Sequence, residues 1–113
     1  MTLQIRLGHQ KDVDATTDGL GRSTIGAFPG MSEQDAWLAG RGVWKLNPAN
    51  VLEQDELQVI NLEGTVLAVG TITGISKAGG GRHAVEGDLK VGDPRVGKKT
   101  TTPHKSRNSV AYF

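Results

Sequence analysis

Arg41-Gly42-Val43-Trp44-Lys45-Leu46 gathers one of the chain's two tryptophans, two cations and a glycine into one short stretch. An aromatic ring flanked by cations has the parts needed to stack on a base and hold its phosphate. On an extended strand successive side chains face opposite ways, so Arg41, Val43 and Lys45 are expected on one face and Gly42, Trp44 and Leu46 on the other. Gly42 would leave bare backbone beside the indole, where a flat group can approach closely. The same pattern also suits a core tryptophan on a strand whose cations are solvated, because aromatic residues on strands mostly serve packing.

Other chemistry is thinly represented. His9, His83 and His104 are far apart, and none has a carboxylate or histidine at helical metal spacing. Without cysteine there is no thiolate ligand and no disulfide framework. Gly79-Gly80-Gly81-Arg82 lacks the spacing of a phosphate-binding loop, and Gly92 to Gly97-Lys98 has Lys99 where a hydroxyl residue is required. Ser106 and Thr100-Thr101-Thr102 offer hydroxyls with no base beside them in sequence. Glu86 and Asp88 read as solvated strand carboxylates. No metal, cofactor or catalytic residue is expected.

The elements that must position these residues are mostly short strands. Leu3-Gln4-Ile5-Arg6-Leu7 alternates apolar and polar and reads as a half-buried strand. Residues 9–30 are rich in Gly, Asp, Thr and Ser and read as a long loop, with Phe28 anchoring it to the body. Ser32-Glu33-Gln34-Asp35 predicts a helix start, with Ser32 as cap and acids in the first turn; Gly40 is expected to close that helix. Trp37, beside Leu38, reads as core. Asn47-Pro48 predicts a second short helix ending near Gln54 or Glu56.

Further strands are expected at 57–62, 65–76, 82–89 and 108–113, with at most a short one at 96–98. Gly70 and Gly74 would bend the longest of them. About six short strands with two short helices make a mainly β, α+β chain, curled into a small closed or half-closed barrel.

The totals bound the class. A chain of 113 residues suits a single domain, 1–113, large enough for its own core. The longest aliphatic run, Val66-Leu67-Ala68-Val69, is far too short to span a bilayer, and the first residues lack the apolar stretch of a signal peptide. A cytoplasmic protein without a membrane partner is expected. Net charge is +1, yet residues 1–56 carry −3 and residues 57–113 carry +4. Arg95, Lys98, Lys99, Lys105 and Arg107 fall together with no acid between them. Such a run points to an anionic partner, or to a solvated loop.

Taken in order, Arg41-Gly42-Val43-Trp44-Lys45, Val66-Leu67-Ala68-Val69 with Ile72-Thr73-Gly74-Ile75, Gly81-Arg82-His83-Ala84-Val85-Glu86-Gly87, Val96-Gly97-Lys98 and Asn108-Ser109-Val110-Ala111-Tyr112-Phe113 resemble small PUA-like barrel domains. The likeness is particularly to those found beside restriction-type nucleases. The resemblance covers residues 36–113; Val85 stands where that pattern has an aromatic residue and Ser109 where it has proline. It implies a PUA-like pseudo-barrel, related to EVE, ASCH and SRA domains, that binds DNA or RNA, including a modified or flipped base, with no catalytic activity of its own. Any cutting would come from a nuclease on a separate chain.

By position, Trp44 would stack on the base beside Gly42, Arg41 and Lys45 would hold phosphate or a base edge, and Arg82 and Asn108 would stand at the rim. Lys98, Lys105 and Arg107 would track the backbone. Two other classes stay open. One is a small ASCH-like hydrolase of a modified nucleoside using Lys45 and Glu86. The other is a protein-interaction module with an exposed apolar patch.

Overall fold

The computed structural model describes residues 2–8, 11–12, 24–27, 30–42, 44–104 and 109–112. Its elements in order are β1 (Thr2–Arg6), β2 (Lys11–Asp12), β3 (Thr24–Ile25), α1 (Glu33–Gly40), α2 (Pro48–Leu52), β4 (Glu56–Ile60), β5 (Val66–Gly79), β6 (Arg82–Leu89) and β7 (Val110–Tyr112). Five strands form one mixed sheet in the order β6-β5-β4-β1-β7, and β2 pairs with β3 inside the stretch expected as a long loop. Most of that loop, residues 9–10, 13–23 and 28–29 with Phe28 among them, lies outside the described residues. Among the described residues the chain is thus mainly β with two short helices, as its pattern of short strands and turns predicts.

The closed barrel is corrected to an open sheet. β1 and β4 run parallel, with Leu3 opposite Leu57 and Ile5 opposite Val59. A parallel pair needs a crossover, here residues 7–55 with both helices. β7 then adds antiparallel to the outer side of β1, while β6 forms a hairpin with β5 at the far end. Among the described residues these end strands share no ladder hydrogen bonds.

Local sequence explains each helix. Ser32 Oγ accepts the Asp35 N–H at 3.1 Å, and Glu33 and Asp35 occupy the positive end of α1. Asn47 Oδ1 accepts from the N–H groups of Ala49 and Asn50, with Pro48 at the first helical position of α2. α2 stops at Leu52, earlier than expected, because Gln54 N–H turns back to the Val51 carbonyl at 3.0 Å and β4 follows at Glu56.

β5 is a single 14-residue strand that serves two ladders, β4 along its first part and β6 along its second. The register against β6 shifts by a residue between Ile72 and Gly74, and again between Lys77 and Gly79. Gly87 stands opposite Ile72, and a Cβ there would collide with the Thr71 carbonyl.

The sheet is covered on both faces. Leu3, Ile5, Leu57, Val59 and Ala68 pack with Ala36 and Ala39 of α1 and Val51 of α2. Trp37 belongs to this core, as its side chain predicts, with its ring lying against Gly70. On the other face Ile60, Val66 and Val69 pack with Val96.

That second cover makes β1 more buried than its alternation suggests. Gln4 is fully buried and Gln58 nearly so. Residues 93–104 form a strap held by Gly97 N–H to Val66 O (2.8 Å), Val66 N–H to Lys98 O (2.9 Å) and Thr100 N–H to Gly64 O (2.9 Å). The short strand considered at 96–98 is a turn, and only Thr65 and Lys99 form a bridge nearby. Among the described residues no helix is long and apolar enough to cross a membrane.

Candidate functional site

The stretch 41–46 lies beside β6 but pairs at a single position. Trp44 and His83 exchange both backbone hydrogen bonds, at 3.0 and 2.8 Å, and Val85 N–H reaches the Arg41 carbonyl at 2.6 Å. An indole hydrogen bond, Nε1–H to the Gly40 carbonyl at 2.7 Å, folds Trp44 back on the end of α1. A regular strand over 41–46 is therefore replaced by one bridge and a tight return. Gly42 is buried, so the bare backbone expected beside the indole is not open to a ligand. Val43 lies outside the described residues.

Trp44, Lys45 and Arg82 come together. With Ser109 and Val110 they line a cleft of about 330 Å³. Trp44 is bonded along the outer side of β6, and Ser109-Val110 opens β7, so the two ends of the sheet face each other across this cleft. A second link spans the same ends: Asn47 N–H donates to the Tyr112 hydroxyl at 3.4 Å. The sheet is curled without being closed.

Trp44 is half-buried and packs on the main core, while Lys45 and Arg82 are exposed. Because the indole N–H is already used, the ring's contribution at the cleft is its apolar surface. The cations supply charge and Ser109 a hydroxyl.

The remaining candidates disperse. Arg41 pairs with Glu86 at 3.4 Å, and Glu86 also accepts from Ser76 Oγ at 2.8 Å. Glu86 does not line the cleft that holds Lys45, so the Lys45–Glu86 pair needed for hydrolysis is not assembled there. Lys98 is exposed on the strap, away from the cleft lining. Lys105, Arg107 and Asn108 lie outside the described residues.

The basic run near the C-terminus is not one free track. Arg95 grips Glu56 with two bonds of 2.7 and 3.0 Å and Asp93 with bonds of 3.0 and 3.1 Å. These bonds hold Asp93 down at about 2 and Glu56 below its ordinary value, and they raise Arg95 further above its own. Lys99 donates to the Glu63 carbonyl. Among the described residues no three His, Asp or Glu side chains gather as a metal site.

A polar chain behind the sheet is not legible in the sequence. Gln4 Nε2 donates to Gln58 Oε1 and to the Thr102 carbonyl, each at 2.8 Å. Thr100 Oγ1 donates to Gln58 Oε1 at 2.7 Å, and His104 Nδ1 meets Gln4 Oε1 at 2.8 Å. The only hint was a glutamine at the same place in two apolar strands, and nothing local reveals that β1 and β4 pair in parallel and align them. His104 lines a second cleft of about 250 Å³, together with Arg6, Lys99, Thr100, Asn61 and Glu63 among others.

Compared with known proteins, this chain matches no protein-family model, no curated protein and no solved structure.

Proposed function

We propose that the chain is a nucleic-acid-binding module of PUA-like character, which takes a base at the Trp44 cleft and needs no catalysis of its own. One observation carries this reading: Trp44, Lys45 and Arg82 line one cleft where the ends of a curled sheet meet. That curl is in keeping with a pseudo-barrel left open at one seam, the shape the family resemblance implies.

Energetics favour a division of labour. Unstacking a base costs a few kcal/mol, and stacking on an aromatic ring returns about 1–3 kcal/mol. Lys45 and Arg82 contribute the phosphate contacts that offset the rest, and they make affinity fall with salt. A base that is unpaired, mismatched or damaged costs least to extract, so such bases are the preferred targets. The role for a nuclease on a separate chain follows from the same resemblance.

A screen of modified and unmodified DNA and RNA oligonucleotides at two salt concentrations tests the proposal. Expected is saturable binding that weakens as salt rises and is lost in Lys45→Ala/Arg82→Ala. Affinity that is indifferent to salt and to that double variant would remove the reading.

A further inference from the structure

The Trp44 cleft is blind on one side. Trp44 and Lys45 line it from one segment, Ser109 and Val110 from the other. Further along both segments the Asn47 N–H meets the Tyr112 hydroxyl at 3.4 Å and closes that side of the seam. A continuous strand of nucleic acid cannot run through such a cleft, but the last nucleotide of a strand can enter it. Its volume of about 330 Å³ lies near the floor of the ~300–1,000 Å³ usual for small-molecule pockets, which suits one nucleotide rather than a run of them.

Positive charge in the cleft is concentrated at one point. Trp44 and His83 form an antiparallel bridge. The residue after one partner then lies across from the residue before the other, which sets Lys45 opposite Arg82. Both side chains are exposed, and among the described residues neither is paired with an acid. No carboxylate is among the described residues lining the cleft. Arg41, on the same segment, gives the contrast: it has Glu86 as its partner on β6. Like charges set across from each other repel, so the free chain carries a strain that a shared anion relieves.

We infer that the cleft recognises the phosphorylated end of a single strand: Lys45 and Arg82 share the terminal phosphate monoester, and the Trp44 ring stacks on the last base. This rests on the nucleic-acid reading above and narrows its ligand. A phosphate monoester carries about −1.5 to −2 near neutral pH, against about −1 for a linking diester, so two cations facing one point favour the monoester. The indole N–H is spent on the Gly40 carbonyl, so Trp44 offers a ring face to any base and a hydrogen bond to none. Ser109 adds a hydroxyl that can donate to the same phosphate. Affinity is therefore decided by the phosphate and not by the identity of the base. An end nucleotide in a single strand also has no pairing partner to give up.

Calorimetric titration of the full chain with a short single-stranded oligonucleotide is the test, the same sequence being prepared with a 5′-phosphate, with a 3′-phosphate, with hydroxyls at both ends, and closed into a circle. At least one phosphorylated form should bind about tenfold tighter than the hydroxyl-ended form, and which end is preferred gives the polarity of the bound strand. The circle should bind no tighter than the hydroxyl-ended form, and changing the end base should leave the phosphate preference in place. Lys45→Ala and Arg82→Ala, both exposed substitutions, should each shrink that preference while the circular dichroism spectrum stays that of the parent chain. Equal affinity for the phosphorylated, hydroxyl-ended and circular forms would overturn this inference and leave the nucleic-acid reading standing. No binding of any form would remove both.

Discussion

Trp44 has a structural role and, in the reading proposed above, a binding one, and a mutation must separate them. Its ring packs on the core and its N–H holds the Gly40 carbonyl, so Trp44→Ala removes packing as well as the proposed stacking surface. The alanine variant should lose about 2–3 kcal/mol of stability, less than a fully buried aromatic would, because the ring is half-buried. Trp44→Phe should keep a ring face and lose only about 1 kcal/mol from the missing hydrogen bond. Denaturant melts beside oligonucleotide titrations would distinguish the two: phenylalanine should retain most of the binding and alanine should not. Arg82→Ala should change stability by less than about 0.5 kcal/mol, because the side chain is exposed. It should also lower the salt dependence of binding by about one unit of slope. An unaltered slope would detach Arg82 from the phosphates. The sequence exposed Trp44, Lys45 and Arg82 as candidates because residue type and spacing are local. It did not reveal that Arg41 is engaged by Glu86, since that partner sits on a strand whose register is set by the whole sheet.

At the scale of elements, local signals were read well and pairing was not. Caps at Ser32 and Asn47 are short-range chemistry, and both helices begin where these residues predict. Alternation in β1 showed which face is apolar but could not say whether the other face would be covered. The 93–104 strap covers it, so Gln4 is buried rather than solvated. Gln4→Leu should cost about 1–3 kcal/mol, because His104 Nδ1 and the Thr102 carbonyl would lose their buried partner. Thermal unfolding checks this, and a neutral result would mean that water replaces the amide. Glycines distinguish a bend from a loop. Gly87→Ala should destabilise by more than about 2 kcal/mol, since its Cβ meets backbone; Gly8→Ala, with open space around it, should stay within about 0.5 kcal/mol.

For the molecule as a whole, charge placed far apart in sequence closes the structure. Arg95 looked like part of a free basic run, but Glu56, on the opposite side of the chain's charge divide, takes it in a two-pronged grip. The Glu56 and Asp93 carboxyls sit below their ordinary values when folded, so their contribution is complete above the usual carboxylate range. It is lost as pH falls from there toward about 2, where Asp93 finally takes up a proton. Arg95→Met should therefore raise the midpoint of acid unfolding and flatten stability across that window, as followed by circular dichroism. An unchanged acid midpoint would show the grip to be energetically idle.

The curled sheet matters to function only if its two ends form one binding surface. Nitrogen–proton correlation NMR during titration with a single-stranded oligonucleotide examines this directly, with the Trp44 indole signal assigned by its absence in Trp44→Phe. The account predicts that the Trp44 indole and the backbone amides of Lys45, Arg82 and Ser109 shift together, saturably, and return as salt is raised. Shifts confined to other surfaces, or none at all, would contradict it.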